Sequence, residues 1–116
     1  MAVQLNQQAL EHARRLLDDD QYMINTVWRT SAPTPEQERR FAESHGWDDY
    51  GKWYLGVDPD APSDSIERYK FPYGNFQKLH RSGVIAAKQR AAQNQYDDIV
   101  EGADELLDLL DRLNAC

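Results

Sequence analysis

The stretch NFQKLHRSGVIAAKQRAAQNQYDDIVEGADELLDLLDRL, residues 75–113, decides the fold class. Asn75 is a good helix N-cap, and Phe76, Leu79, Gly83, Val84, Ala87 and Ala91 then fall on one helical face. Most of these side chains are small, which lets a second helix approach closely. QNQYD reads as a loop, and Asp97 and Asp98 open the next helix, where anions favour the N-terminal dipole. Along it Ile99, Ala103, Leu106, Leu110 and Leu113 recur at intervals of 4, 3, 4 and 3, with Leu107 and Leu109 widening the stripe. So short a connection between two amphipathic helices predicts an antiparallel hairpin.

Charge sharpens this reading. Residues 1–67 carry a net −7, residues 68–96 a net +6 with no acidic residue, and residues 97–116 a net −6. In the basic block Arg68, Lys70, Lys78, Arg81, Lys88 and Arg90 interleave with Tyr69, Phe71, Tyr73 and Phe76. Cations that track phosphates beside rings that stack bases suit single-stranded nucleic acid. The candidate anion or nucleic-acid residues are therefore Arg68, Lys70, Tyr73, Lys78, His80, Arg81, Lys88 and Arg90. The competing explanation is internal. The hairpin sets Lys78, Arg81, Lys88 and Arg90 against Glu101, Asp104, Glu105, Asp108 and Asp111, cancelling the two fields. Such exposed pairs each contribute about 0–1 kcal/mol. A whole-chain charge of −7 also weakens attraction for a polyanion, so internal neutralisation is the preferred reading. The acidic last helix reads as a solvated outer face, with docking of a basic partner as its alternative.

Upstream, Asn6 caps a helix over 7–17, with Leu5 stapled to Leu10 and Ala9, Leu10, Ala13, Leu16 and Leu17 on one face. Asp18-Asp19-Asp20 opposes the dipole and ends it. Tyr22–Trp28 reads as a short extended segment. Thr34-Pro35-Glu36-Gln37 is a capping box with proline at the first helical position. That helix runs to about Ser44, is pinned by Phe41 and stops at Gly46. Residues 47–57 are dense in aromatics, with Lys52–Val57 a short strand, and 58–65 is an exposed acidic loop. Arg68–Gly74 alternates basic and aromatic residues, and Pro72 restricts it to a sheet edge. Trp28, Trp47 and Trp53 lie within 26 residues and form the N-terminal core, or else a patch that a partner covers, since tryptophan is a favoured interface anchor.

Lys70-Phe71-Pro72-Tyr73-Gly74, His80-Arg81-Ser82-Gly83 and Ala86-Ala87-Lys88-Gln89-Arg90-Ala91, followed by an acidic Leu-rich helix, resemble a small uncharacterised domain of bacterial and phage-encoded proteins. The resemblance covers about residues 66–113. The acidic, Trp-rich first half resembles a companion segment of stand-alone bacterial versions. The resemblance implies a helical fold and carries over no active site.

Composition bounds the rest. The chain has 116 residues, 13 Lys and Arg against 20 Asp and Glu, and 41% hydrophobic residues. That is a thin core, supplemented by three Trp and six Tyr, and it predicts one domain over 1–116. The fold class expected is mainly α: an N-terminal helix, extended aromatic segments with minor β content in an acidic 1–65 part, and a hairpin over 66–114. No apolar run reaches membrane-spanning length, and no charged-then-apolar leader opens the sequence. The single cysteine, Cys116, excludes an internal disulfide, so a reducing, cytoplasmic setting is expected. His12, His45 and His80 lack helical zinc-ligand spacing. Asp58-x-Asp60 starts like a calcium loop, but Ser63 and Tyr69 stand where glycine and glutamate belong. No metal, cofactor or catalytic residue is expected, with His80 the sole base worth testing. A non-catalytic interaction or accessory module, binding a protein or a second copy, ranks first. Nucleic-acid or anion binding through 68–90 ranks second, and an enzyme of unknown reaction third.

Overall fold

The computed structural model describes residues 3–114. Helices dominate, and short strands tie them together. In chain order they are β1 (Gln4–Leu5), α1 (Gln7–Asp18), β2 (Tyr22–Met23), α2 (Trp28–Ser31), α3 (Pro35–His45), α4 (Trp47–Gly51) and β3 (Tyr54–Val57). A 3₁₀ turn (Ile66–Arg68) leads into β4 (Tyr69–Pro72), β5 (Leu79–His80), α5 (Arg81–Gln93) and α6 (Asp97–Leu113). β1, β3 and β4 make an antiparallel sheet in that order, and β2 pairs with β5 in parallel. Pro72 is tolerated because β4 is the outer strand.

α1 buries Ala9, Leu10, Ala13 and Leu17, and α6 buries Ile99, Ala103, Leu106 and Leu110. α5 contributes Val84, Ala87 and Ala91 and packs against α6 and β4, while α1 and α6 meet β3 directly. Leu113, expected in the stripe, is 46% exposed at the end of α6. α5 and α6 run antiparallel: Arg81 pairs with Asp111 at 3.6 Å, and seven residues later Lys88 pairs with Asp104 at 2.5 Å. The third acidic partner goes elsewhere. Glu105 receives the fork of Arg14 from α1 at 2.5 and 2.8 Å, which holds its carboxyl below the usual range.

Several local expectations meet tertiary competition. The capping box of α3 forms as read, with Gln37 N–H donating to Thr34 Oγ1 and Thr34 N–H to Gln37 Oε1. Asn6 precedes α1 but does not cap it. Its buried side chain donates to the carbonyls of Gly51 (2.9 Å) and Tyr54 (3.1 Å), stitching α1 to the sheet. The extended segment expected over Tyr22–Trp28 shrinks to Tyr22–Met23, and Trp28 opens α2. Residues 47–51 form α4, with Asp48 and Asp49 in its first turn. Asn75 caps no helix: its Oδ1 accepts from the N–H groups of Gln77 and Lys78, closing a turn. Phe76 adopts φ 68°, and α5 begins only at Arg81, because Leu79 and His80 pair with β2 instead. Cys116 lies outside the described residues.

Two helices end in the same way. At α1, Asp20 N–H donates to Leu17 O and Gln21 N–H to Leu16 O, with Asp20 at φ 59°. At α5, Gln95 N–H donates to Ala92 O and Tyr96 N–H to Ala91 O, with Gln95 at φ 62°. Both are Schellman turns that carry a non-glycine residue in the left-handed position. The second makes the α5–α6 connection.

Candidate functional site

The site grows from β4. Tyr69–Pro72 is an outer strand, and the Trp28–Glu38 segment comes alongside it. A groove of about 450 Å³ opens there, lined by Trp28, Pro33 and Glu38 from the α2–α3 region, Lys70 and Phe71 from β4, and Arg90 from α5. Trp28 is held by close approach to Gly83. A Cβ on Gly83 would meet the indole at 2.7 Å and the Tyr73 carbonyl at 2.6 Å. The His80 ring lies 5.9 Å from the indole.

Phe71 has φ 64°. A bulky residue before proline has no intrinsic reason to be there. Packing imposes it: the ring sits over Gly56, where a Cβ would lie 2.7 Å from Phe71 Cδ2, and 6.0 Å from the Tyr96 ring. Strain of this kind costs about 1–3 kcal/mol and is held by the surrounding contacts.

Glu38 is occupied. Tyr54 OH donates a short hydrogen bond to its Oε2, and Tyr50 OH donates to the same oxygen at 3.4 Å. Burial pushes the Tyr50 hydroxyl up to about 12 and raises Tyr54 further. Both therefore stay protonated donors. Lys70 and Arg90 have no ion-pair partner among the described residues.

The candidate residues part company here. Lys70 and Arg90 of the basic block, and Trp28 of the tryptophan set, share the groove. Arg81 and Lys88 are bound to α6, and Arg68 donates to the carbonyls of Ala61 (2.9 Å) and Pro59 (3.4 Å). Lys78 is half-buried in the turn that Asn75 closes. Tyr73 cannot stack a base: it is fully buried, its OH donating to Lys52 O at 2.6 Å. His80, 4% exposed, is likewise inaccessible to a ligand. Trp53 is core rather than patch, buried against Gly74 and stacked on Tyr73, and Trp47 packs edge-on to Tyr50.

Two of the three histidines are set into the fold, and the third, His45, is exposed and stacked on Phe41 at 4.1 Å. His80 Nδ1 lies 2.8 Å from Thr26 Oγ1, and its Nε2 is buried without a partner. Burial, helped by the Lys78 charge, lowers its pKa. His12 stands edge-on to Trp53 at 5.0 Å, and burial with Lys52 and Arg15 lowers its pKa too. Among the described residues no group of three or more His, Cys, Asp or Glu could hold a metal, and no helix is long and apolar enough to cross a membrane.

Glu38 was not singled out from sequence, and Phe71, which Pro72 is expected to hold extended, takes a left-handed conformation instead. Glu38 shares a helical face with Phe41 and Ala42, three and four residues on, which marks it as inward-facing. Nothing local signals the conformation of Phe71, because the glycine that seats its ring is fifteen residues away. No protein-family model, curated protein or solved structure matches this chain.

Proposed function

We propose that the protein is a non-catalytic interaction module that holds a short polypeptide segment in the Trp28–Phe71 groove. The observation that carries this reading is convergence: Trp28, Lys70 and Arg90, drawn from distant parts of the chain, line one opening. Val27, next to Trp28 in the chain, is 65% exposed, and Met23 and Ile24 a few residues earlier are exposed too. Aromatic anchors set among apolar and cationic groups suit protein interfaces. At the groove the Tyr54 and Tyr50 hydroxyls are committed to Glu38, which leaves Lys70 and Arg90 as its free charged groups among the described residues.

A random-peptide display selection on the immobilised protein tests it. Wild type is expected to enrich sequences that lose binding to Trp28→Ala or Arg90→Glu, each first checked for a native thermal transition. Enriched peptides indifferent to both substitutions would place recognition elsewhere and overturn the reading. Nucleic-acid binding, the second reading, rests on Lys70 and Arg90 lying beside rings, and it would appear as low-salt binding of a labelled single strand.

A further inference from the structure

The geometry points to an acidic, extended segment of a partner protein as the occupant of the groove between the Trp28–Glu38 region and β4, its carboxylates on Lys70 and Arg90 and its apolar side chains against Trp28 and Phe71. The inference rests on the interaction-module reading and adds the chemistry of the ligand.

The groove's own charges decide the sign. Its one acidic side chain, Glu38, is already satisfied by Tyr54 and Tyr50, so an incoming cation would compete with two buried hydroxyl donors. Its two cations are unmatched. Lys70 is half-buried and Arg90 exposed, and neither has an ion-pair partner among the described residues, whereas Arg81 and Lys88 of the same block are paired. A cation set against an apolar wall discriminates strongly, since a like charge brought there is repelled and an opposite one is screened less than in open water.

Size and long-range charge decide the class. About 450 Å³ accommodates a few side chains, roughly the volume of a single turn of a helix about 10 Å across, so it suits a short segment rather than a whole amphipathic helix. A nucleic-acid strand would satisfy the same cations and rings. Its phosphates, however, continue beyond the groove across a molecule of net charge −7, with Asp and Glu throughout 1–67 and 97–116. A segment with two or three carboxylates over Lys70 and Arg90 escapes that repulsion. Pro33, Pro35 and Pro72 around the opening keep its backbone from adjusting, so less freedom is lost on binding.

The test uses the full chain and three fluorescent probes: an octapeptide alternating glutamate with leucine and proline, the same peptide with lysine for every glutamate, and an eight-nucleotide oligothymidylate. Anisotropy is expected to show binding of the glutamate peptide alone. That binding should weaken about tenfold or more in the Lys70→Glu, Arg90→Glu double variant, and weaken as salt rises from about 50 to about 300 mM. Both cations lie outside the core, so the thermal midpoint should stay near wild type and confirm folding. Equal binding of the lysine peptide, or tighter binding of the oligothymidylate that the same variant abolishes, would overturn the proposal. If no probe binds while selected peptides still depend on Trp28, the acidic chemistry fails and the groove reading survives. If selected peptides ignore Trp28 and Arg90, the groove reading itself has failed.

Discussion

Tyr73 shows how much one hydroxyl holds. It is completely buried, and its OH satisfies the carbonyl of Lys52 between α4 and β3 at 2.6 Å. Tyr73→Phe keeps the ring and leaves that carbonyl unpaired, so urea denaturation is expected to show a loss of about 1–3 kcal/mol. An unchanged midpoint would mean that water replaces the bond. Asp20 and Gln95 offer the opposite case. Each sits in a left-handed turn where glycine has no Cβ penalty, and Asp20 also places an anion at a helix C-terminus. Asp20→Gly and Gln95→Gly should each stabilise by about 0.5–1 kcal/mol, while Asp20→Ala should not. The histidines set a pH dependence. His12 and His80 have lowered pKa values when folded, so below about 6.5 the unfolded chain takes up protons that the folded chain refuses. Their contribution is complete above that pH and declines as pH falls through it. The urea midpoint should therefore drop between about pH 7.5 and pH 5.5, and His80→Asn should reduce the drop. An identical pH dependence in the variant would remove His80 from the account.

Elements governed by near neighbours are the ones legible in the sequence. The α3 capping box needs four consecutive residues, and the stripe of α6 needs one helix. The stretch 75–80 reads as helix in the sequence and is not helical in the fold, for a long-range reason. Leu79 and His80 fit a helical face, but pairing with Tyr22 and Met23, 57 residues away, wins, and Phe76 takes a left-handed conformation to allow it. Aromatic seating is just as invisible locally. Tyr69, Phe71, Trp53 and Trp28 each lie against a distant glycine: Gly51, Gly56, Gly74 and Gly83. Two helical glycines separate seating from mere propensity. Alanine at Gly83 would press its Cβ on the Tyr73 carbonyl, which cannot yield, and on the Trp28 ring. At Gly102 the nearest atom is the flexible end of Leu5, at 3.0 Å. Gly83→Ala is expected to destabilise by about 1–3 kcal/mol despite its better helix propensity. Gly102→Ala should be neutral or stabilising, and equal losses at both sites in thermal melts would refute the distinction.

For the whole molecule, the charge reading resolves into two parts. Opposed blocks do meet along α5 and α6, through Arg81–Asp111 and Lys88–Asp104. The neutralisation is partial, because Glu105 turns to Arg14 and both Lys70 and Arg90 face the groove. Sequence spacing could assign cations to a block but not to a side of the fold, since that depends on where β4 is laid against α5. The candidate site was therefore legible as a set of residues and not as a place. The most direct test of this division is an amide and side-chain NMR titration of the full chain with the glutamate peptide. Shifts confined to Trp28, Lys70, Phe71 and Arg90 are predicted, with Lys88 and Asp104 unmoved. Shifts centred on the α5–α6 ion pairs, or on His12 and Trp53, would contradict it.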